Sequence, residues 1–428
     1  MISVPNHQPR SNGNRLSWKG VFVMIILAIT LQGCAFLEDL FQGKDKKPRT
    51  EKPDEKKEVE IREIEWEDVT DEEGVIDEYP DQTPEKEEIY DVLCLLPFNG
   101  SNKDRGRSLY AGIKMAANEL DLNINLRITT LDVSRLVGEP ETLRKVLSEP
   151  NFDIIIAPYS TDDVNRIVEL SQGSGAIVFS PWNTSPSIRR YDRYVQLNPG
   201  LESHFKGMVD WTAREYGIAQ TLIVSNKRDA NSVKILQDVN PGLETYYTAI
   251  NPTEDIPRLE QLIISKNVQA IIVPSWRSSD QAYFLSLLSA INAARGARPM
   301  SVFVLSSWMN HDNINYEQYS GLNLHFTNSR FKNTNSRAVT RFEDRYIREF
   351  NYFADDDVFY GHDIYRMILE LLTRYDGRIK QEITNYNCGD CFFRYDFTEE
   401  ITGDGRPYIL NDHVDIINLT NFQYHRLN

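Results

Sequence analysis

The sequence is poor in the residues on which metal, thiol and general acid–base chemistry depend. Its 428 residues hold four cysteines and seven histidines, and the histidines stand singly along the chain. There is no His-x-x-x-His pair, no glycine-rich phosphate loop and no Gly-x-Ser-x-Gly elbow, so the usual plans of zinc hydrolases, nucleotide-binding enzymes and serine hydrolases are missing. The run Asp355-Asp356-Asp357 reads as a solvated loop before a helix, not as paired catalytic acids. These absences predict a chain that is not an enzyme, with no catalytic residue, no cofactor and no metal. Basic character is short too. The 47 Lys and Arg face 63 Asp and Glu, and the net charge of −16 is the wrong sign for a nucleic-acid binder.

The acidity is concentrated. Between Lys44 and Glu88 there are 9 basic and 19 acidic residues, with proline and few large apolar side chains. Such a segment cannot bury enough surface to offset its ordering entropy, so within the lipid-anchor and tether region 34–88 the stretch Lys44–Glu88 is expected to be a flexible tether with a stretched reach of roughly 150 Å. Ahead of it, Arg10, Arg15 and Lys19 precede the apolar run Val21–Thr30, which is too short to span a bilayer and has the make-up of a signal-peptide core. Leu31-Gln32-Gly33-Cys34 then resembles a bacterial lipobox. That resemblance implies removal of 1–33, acylation of Cys34, and a protein anchored to a lipid bilayer without crossing it. An ordinary signal peptide followed by a chance cysteine is the alternative. Ala35 lacks the Asp associated with inner-membrane retention, which points to the outer membrane, facing the periplasm.

In an exported chain, Cys388 and Cys391 read as a short structural disulfide around Gly389-Asp390. A redox pair should open a helix, whereas Phe392–Phe397 is strand-like, and zinc lacks two further ligands at a recognisable spacing. Cys94, inside the apolar run Val92–Leu96, reads as a buried small hydrophobe.

From Asp91 onward, apolar strands alternate with amphipathic helices. Val92–Leu96, Ile124–Leu131, Ile154–Ala157 and Ala176–Phe179 are strands, separated by helices over 107–120, 139–147 and 162–171. The rhythm breaks around Tyr194–Pro199 and restarts after a helix over 202–216, with strands at 221–224, 243–249, 270–273, 301–305 and 324–327. Helices follow at 337–350 and 358–375, and short antiparallel strands close the chain after Phe392. Strict alternation means right-handed βαβ units on a parallel sheet. The fold class is therefore α/β: two Rossmann-like parallel-sheet lobes, at about 89–198 and 220–330, with a cleft between them and crossing segments and small C-terminal strands in 331–428. Several strands end in the same way, as Ile154-Ile155-Ile156-Ala157-Pro158-Tyr159-Ser160-Thr161 does, in hydroxyls and an aromatic ring. Open α/β sheets bind ligands at that edge, and a helix start favours anions.

Four stretches resemble the type I periplasmic binding protein superfamily, the fold of branched-chain amino-acid binding proteins. They are Leu95–Gly100 with Gly106–Ala116, the turn Ile155–Thr161, the strand end Val178–Pro181, and Arg341–Phe350 with Tyr360–Ile364. The resemblance covers about 89–428 and implies a ligand in the cleft, its carboxylate held by first-lobe turns. Carried over, the candidates are Ser101, Tyr159, Ser160, Thr161 and Ser180. Trp182, Trp276 and Trp308, at matching strand ends of both lobes, offer ring surfaces to the same cleft. One departure is that the second-lobe turns Pro274–Arg277 and Ser306–Met309 carry no acid for a ligand ammonium, leaving Asp280 and Asp363, while Arg277 tilts the ligand toward an anion.

Two functions follow. The first is a solute receptor that closes on a small molecule or peptide, with a possible role in transport. The second is an interaction module for an envelope protein partner, because outer-membrane lipoprotein activators of peptidoglycan synthases resemble this plan.

Overall fold

A computed structural model of the chain describes residues 89–428 except for 121–123, 137–138, 149–151, 189–191, 250, 310–318, 320, 376–377, 403–404 and 421–422. Cys34, the apolar run before it and the acidic stretch lie outside the described residues. No helix among those described is long and apolar enough to cross a membrane.

In the first lobe, β1 (Ile89–Leu96), β2 (Asn125–Asp132), β3 (Ile154–Ile156), β4 (Ile177–Ser180) and β5 (Tyr194–Gln196) alternate with α1 (Lys103–Glu119), α2 (Pro140–Ser148) and α3 (Thr161–Ser171). The second begins with α4 (Leu201–Glu215). It continues through β6 (Thr221–Ser225), α5 (Ala230–Val239), β7 (Glu244–Tyr247), α6 (Ile256–Ser265), β8 (Ala270–Ile272), α7 (Gln281–Arg295), β9 (Met300–Leu305) and β10 (Leu322–Asn328). The chain then returns to the first lobe with α8 (Arg337–Phe350) and α9 (Asp356–Tyr375). It ends in β11 (Phe397–Ile401), β12 (Pro407–Asn411), β13 (Asp415–Thr420) and β14 (Gln423–Arg426).

The two sheets repeat one plan. Their strand orders are β11-β12-β5-β4-β3-β1-β2 and β14-β13-β10-β9-β8-β6-β7, with the first five strands of each lobe parallel. The break around Tyr194 is itself a strand, β5, too short to show a pattern. The C-terminal strands also divide: β11 and β12 extend the first sheet, whereas β13 and β14 edge the second.

Burial on both faces explains the continuous apolar runs. On β1, Val92, Cys94 and Leu96 pack with Leu109, Ile113 and Ile364 of α1 and α9, while Leu93 and Leu95 face Leu143 of α2 and Ile167 of α3. Burial pushes the Cys94 thiol up to about 12, so it behaves as a hydrophobe and not as a nucleophile. Helices α1 and α9 meet through glycines. A Cβ on Gly112 would lie 1.9 Å from the Val358 carbonyl oxygen, and one on Gly361 2.0 Å from that of Leu109, so only hydrogen fits at either place. The disulfide joins Cys388 and Cys391, and Phe392 and Phe393 after it pack into the first-lobe core.

Three crossings join the lobes, at Leu197–Gly200, Ser329–Ser336 and Asp412–Val414. Asn411 Nδ2 donates to the Leu197 carbonyl (3.0 Å), and Ser329 Oγ to Asn198 Oδ1 (3.4 Å). Beside them the buried Asp415 carboxylate takes Arg426 at 2.7 Å, His413 at 3.2 Å and, from the first lobe, Arg394 at 3.9 Å.

On the second-lobe side of this hinge, His204 Nδ1 meets Thr327 Oγ1 at 2.9 Å, and His325 stacks on Phe303. Burial lowers both histidines from 6.5 to about 4. Between those values the unfolded chain takes the protons first. The stability present above pH 6.5 is therefore lost as the pH falls toward 4, each histidine costing on the order of 2 kcal/mol by pH 5. Urea unfolding at pH 7 and pH 5 checks this. His204→Asn should remove about half of the drop, and an unchanged drop would contradict the assignment.

Candidate functional site

Parallel sheets of strand order 2-1-3-4-5 open a crevice where the order reverses, outside the carboxyl ends of the two central strands. Here those places lie between β1 and β3 in the first lobe and between β6 and β8 in the second.

At the first, β3 runs through Ala157-Pro158 into α3. Ser160 caps the helix, its Oγ accepting the Asp163 amide at 3.5 Å, and Thr161 Oγ1 accepts from Asn183 Nδ2 at 2.8 Å. The Ser160 hydroxyl also bonds the Asp163 carboxylate, whereas the Thr161 proton remains available to a ligand oxygen. Tyr159 is 38% exposed, with the Arg105 guanidinium 5.0 Å from its ring centre and the Trp182 ring at 6.1 Å. The structure thus brings Tyr159, Ser160 and Thr161 together. Ser101 stands exposed on the neighbouring turn after β1. Ser180 is fully buried, and its Oγ has no hydrogen-bond partner among the described residues.

The tryptophans fare differently from one another. Trp182 is buried in the first-lobe core and donates Nε1–H to Asp357 Oδ1 at 2.9 Å. Trp308 is fully buried, stacked on Phe284 at 3.8 Å and donating to the Ser275 carbonyl at 2.6 Å. Only Trp276 offers a ring face, at 47% exposure, and the Arg277 guanidinium already lies 4.8 Å from its centre. Each indole of the buried pair carries one N–H that burial obliges to find an acceptor, supplied by the Asp357 carboxylate for Trp182 and by the Ser275 carbonyl beyond β8 for Trp308.

Asp357 is the hub of the first-lobe side. Its Oδ1 also accepts from Arg330 Nη1 at 2.9 Å, and Arg105 Nε lies 4.0 Å from Oδ2. Arg330 comes from the hinge and lies 4.1 Å over the Tyr360 ring, whose hydroxyl donates to the Pro181 carbonyl at 2.9 Å. A solvated acidic loop therefore describes Asp355 and Asp356 but not Asp357.

The second-lobe side holds acids that the turns Pro274–Arg277 and Ser306–Met309 do not show. Asp229 stands four residues beyond β6, behind the cap Asn226, and is 2% exposed. Its Oδ1 accepts from Arg277 Nη1 at 2.7 Å. Arg277 is thus spoken for, and its pull toward an anionic ligand falls away. Asp280 Oδ2 and Ser307 Oγ are buried without a hydrogen-bond partner among the described residues, beyond β8 and β9, whereas the Asp229 carboxylate takes the Ser275 hydroxyl as well as Arg277, and Arg228 Nη1 lies 3.9 Å from Asp280 Oδ1. Burial raises the Asp229 pKa, with Arg277 opposing and Asp280 reinforcing the rise. Asp363 serves another purpose: fully buried in α9, it accepts the amides of Phe392 and Phe393 at 2.9 Å each and so anchors the chain after the disulfide.

No protein-family model matches the chain, and no curated protein matches it by sequence. Solved structures do. A putative branched-chain amino acid ABC transporter protein from Rhodospirillum rubrum superposes with a TM-score of 0.61 at 13% identity, covering 79% of this chain and 100% of its own. The chain has the type I periplasmic-binding-protein fold. An ABC transporter substrate-binding protein from Desulfitobacterium hafniense in complex with Leu gives 0.52 at the same identity and coverage. The C-domain of LpoA from Haemophilus influenzae, a regulator of PBP1A, gives 0.54, again at 13% identity and the same coverage. Receptors and a regulator of another protein thus share this fold with the chain.

Trp182→Phe keeps the packing but leaves Asp357 one donor short. Loss of a hydrogen bond to a charged acceptor should cost about 1.5–3 kcal/mol in chemical denaturation. A cost under about 0.5 kcal/mol would show that Asp357 does not depend on the indole.

Proposed function

We infer that the chain is a solute-binding protein whose lobes close on a small ligand bearing a protonated amino group. The observation that carries this reading is the pair of electrostatically coupled acids at the second-lobe switch point, Asp229 and Asp280, with Asp280 Oδ2 and Ser307 Oγ buried and without a hydrogen-bond partner among the described residues. Isolated buried acceptors are costly, and a ligand that donates to them turns the cost into affinity. Across the cleft, the start of α3 and the Thr161 hydroxyl proton suit a carboxylate or hydroxyl. Tyr159 and Trp276 would flank the ligand, and closure would follow as a shift between open and closed populations. Ser101, Ser180, Trp182 and Trp308 support this site from behind or beside it.

Cys34 is proposed as the acylated anchor, and the acidic stretch as a tether that holds the binding domain away from an outer-membrane surface. A second reading has its own observation. Tyr352 and Phe353, between α8 and α9, are 77% and 80% exposed, and two of the three strand-end tryptophans are withdrawn into the cores. A surface aromatic pair of this kind suits a protein partner, as in an envelope regulator.

Thermal unfolding against amino acids, short peptides, amino sugars and neutral sugars tests the receptor reading. A cleft ligand at 100 times its Kd should add about 2.7 kcal/mol, and Asp229→Asn should abolish the shift. Stabilisation by neutral sugars alone, or none by any amino compound, would overturn it in favour of the partner-binding module. For the anchor, Cys34→Ser should move the chain from the membrane to the soluble fraction, and unchanged membrane association would contradict acylation at that residue.

A further inference from the structure

A cavity with a volume of about 770 Å³ lies between α8, α9, the end of α1 and the disulfide turn, apart from the two switch points. That size suits a small ligand. Helix α8 turns Val339, Phe342 and Tyr346 into the core, which leaves Arg341, Arg345 and Arg348, at spacings of four and three, along its other face. Arg366 of α9 and Arg426 of β14 complete the lining, so five arginines meet in one cavity of a chain whose net charge is −16.

Three carboxylates, those of Glu119, Asp344 and Asp390, also line it. They do not neutralise it evenly. Arg345 donates to Glu119 at 2.5 Å, Arg366 lies 3.6 Å from Glu370 and 3.9 Å from the exposed Asp390, and Arg426 is held by Asp415 outside the cavity. Arg341 and Arg348 have no carboxylate within 4 Å among the described residues, and neither is needed to satisfy a buried acid. Guanidinium groups present planar pairs of donors that match the oxygens of phosphate and carboxylate. Arginines retained only for solubility would spread over the surface, whereas these converge on a concave, half-apolar space with Phe392 in its wall.

We propose that this cavity binds a phosphate-bearing anion, with Arg341 and Arg348 as the principal contacts. Arg345 and Arg366, already half engaged, complete the cradle. The site also has a place in the hinge: Asn333 and Ser336 of a crossing segment line it, and Arg426 ties it to the Asp415 cluster between the lobes. A ligand there touches both lobes without entering the cleft, and the proposal stands whether or not the cleft holds an amino compound.

The test is calorimetric titration of the full-length chain in neutral detergent at physiological salt, with sodium tripolyphosphate, and separately with dihexanoyl-phosphatidylglycerol against dihexanoyl-phosphatidylcholine. Saturable binding of tripolyphosphate, weakened at least about tenfold by Arg341→Gln with Arg348→Gln, assigns a free phosphate compound. Binding of phosphatidylglycerol alone, with the same dependence, assigns a lipid headgroup. The pair Arg144→Gln with Arg258→Gln, both exposed and remote in sequence, removes the same charge and should change nothing. An equal loss in that pair would reduce the effect to bulk charge and overturn the site, as would binding indifferent to Arg341 and Arg348, or no binding of either probe. Circular dichroism of both pairs confirms that the variants fold.

Discussion

Burial of the central strands on both faces is the constraint from which the rest follows. A strand such as Ile154–Ile156, inaccessible along its whole length, can carry no polar group except at its ends. Because the first five strands of each sheet run parallel, those ends fall on one edge, where the helix starts, hydroxyls and acids of each lobe collect. The chain carries this plan twice, and the two edges belong to two lobes joined by three crossings.

The same constraint decided what could be read beforehand. Long buried strands and the amphipathic α8, whose residues alternate sharply between Val339, Phe342 and Tyr346 inside and arginines outside, announce themselves by period alone. The three-residue β5 does not, because three residues cannot show a period. Nor does the division of the C-terminal hairpins between two sheets, which depends on pairing across more than 200 residues of sequence, as in Asn411 to Leu197. The site was half legible. Tyr159, Ser160 and Thr161 follow their strand directly, whereas Asp229 is displaced by a short turn and is marked only by the Asn226 cap before it. The tryptophans misled for a physical reason: a large ring at a strand end can turn outward to the cleft or inward to the core, and spacing does not distinguish the two. Trp308 finds Phe284, and Trp182 finds Asp357.

Charge organises the hinge as apolar packing organises the lobes. Arg330 leaves the crossing segment to reach Asp357, the acid that also holds Trp182, and Arg426 and Arg394 converge on Asp415 from opposite lobes. Buried carboxylates persist only where cations and donors surround them. The geometry of the hinge is therefore set by a few directional contacts.

The most direct test of this account is the distance between the lobes with and without a bound amino compound. Spin labels on the exposed helix positions Glu169 in α3 and Lys234 in α5, read by pulsed electron resonance, report it without touching either switch point. The account predicts a distribution that moves to shorter distances with ligand and reverts in Asp229→Asn. A single distribution, unchanged by a compound shown to bind, would contradict closure around the cleft.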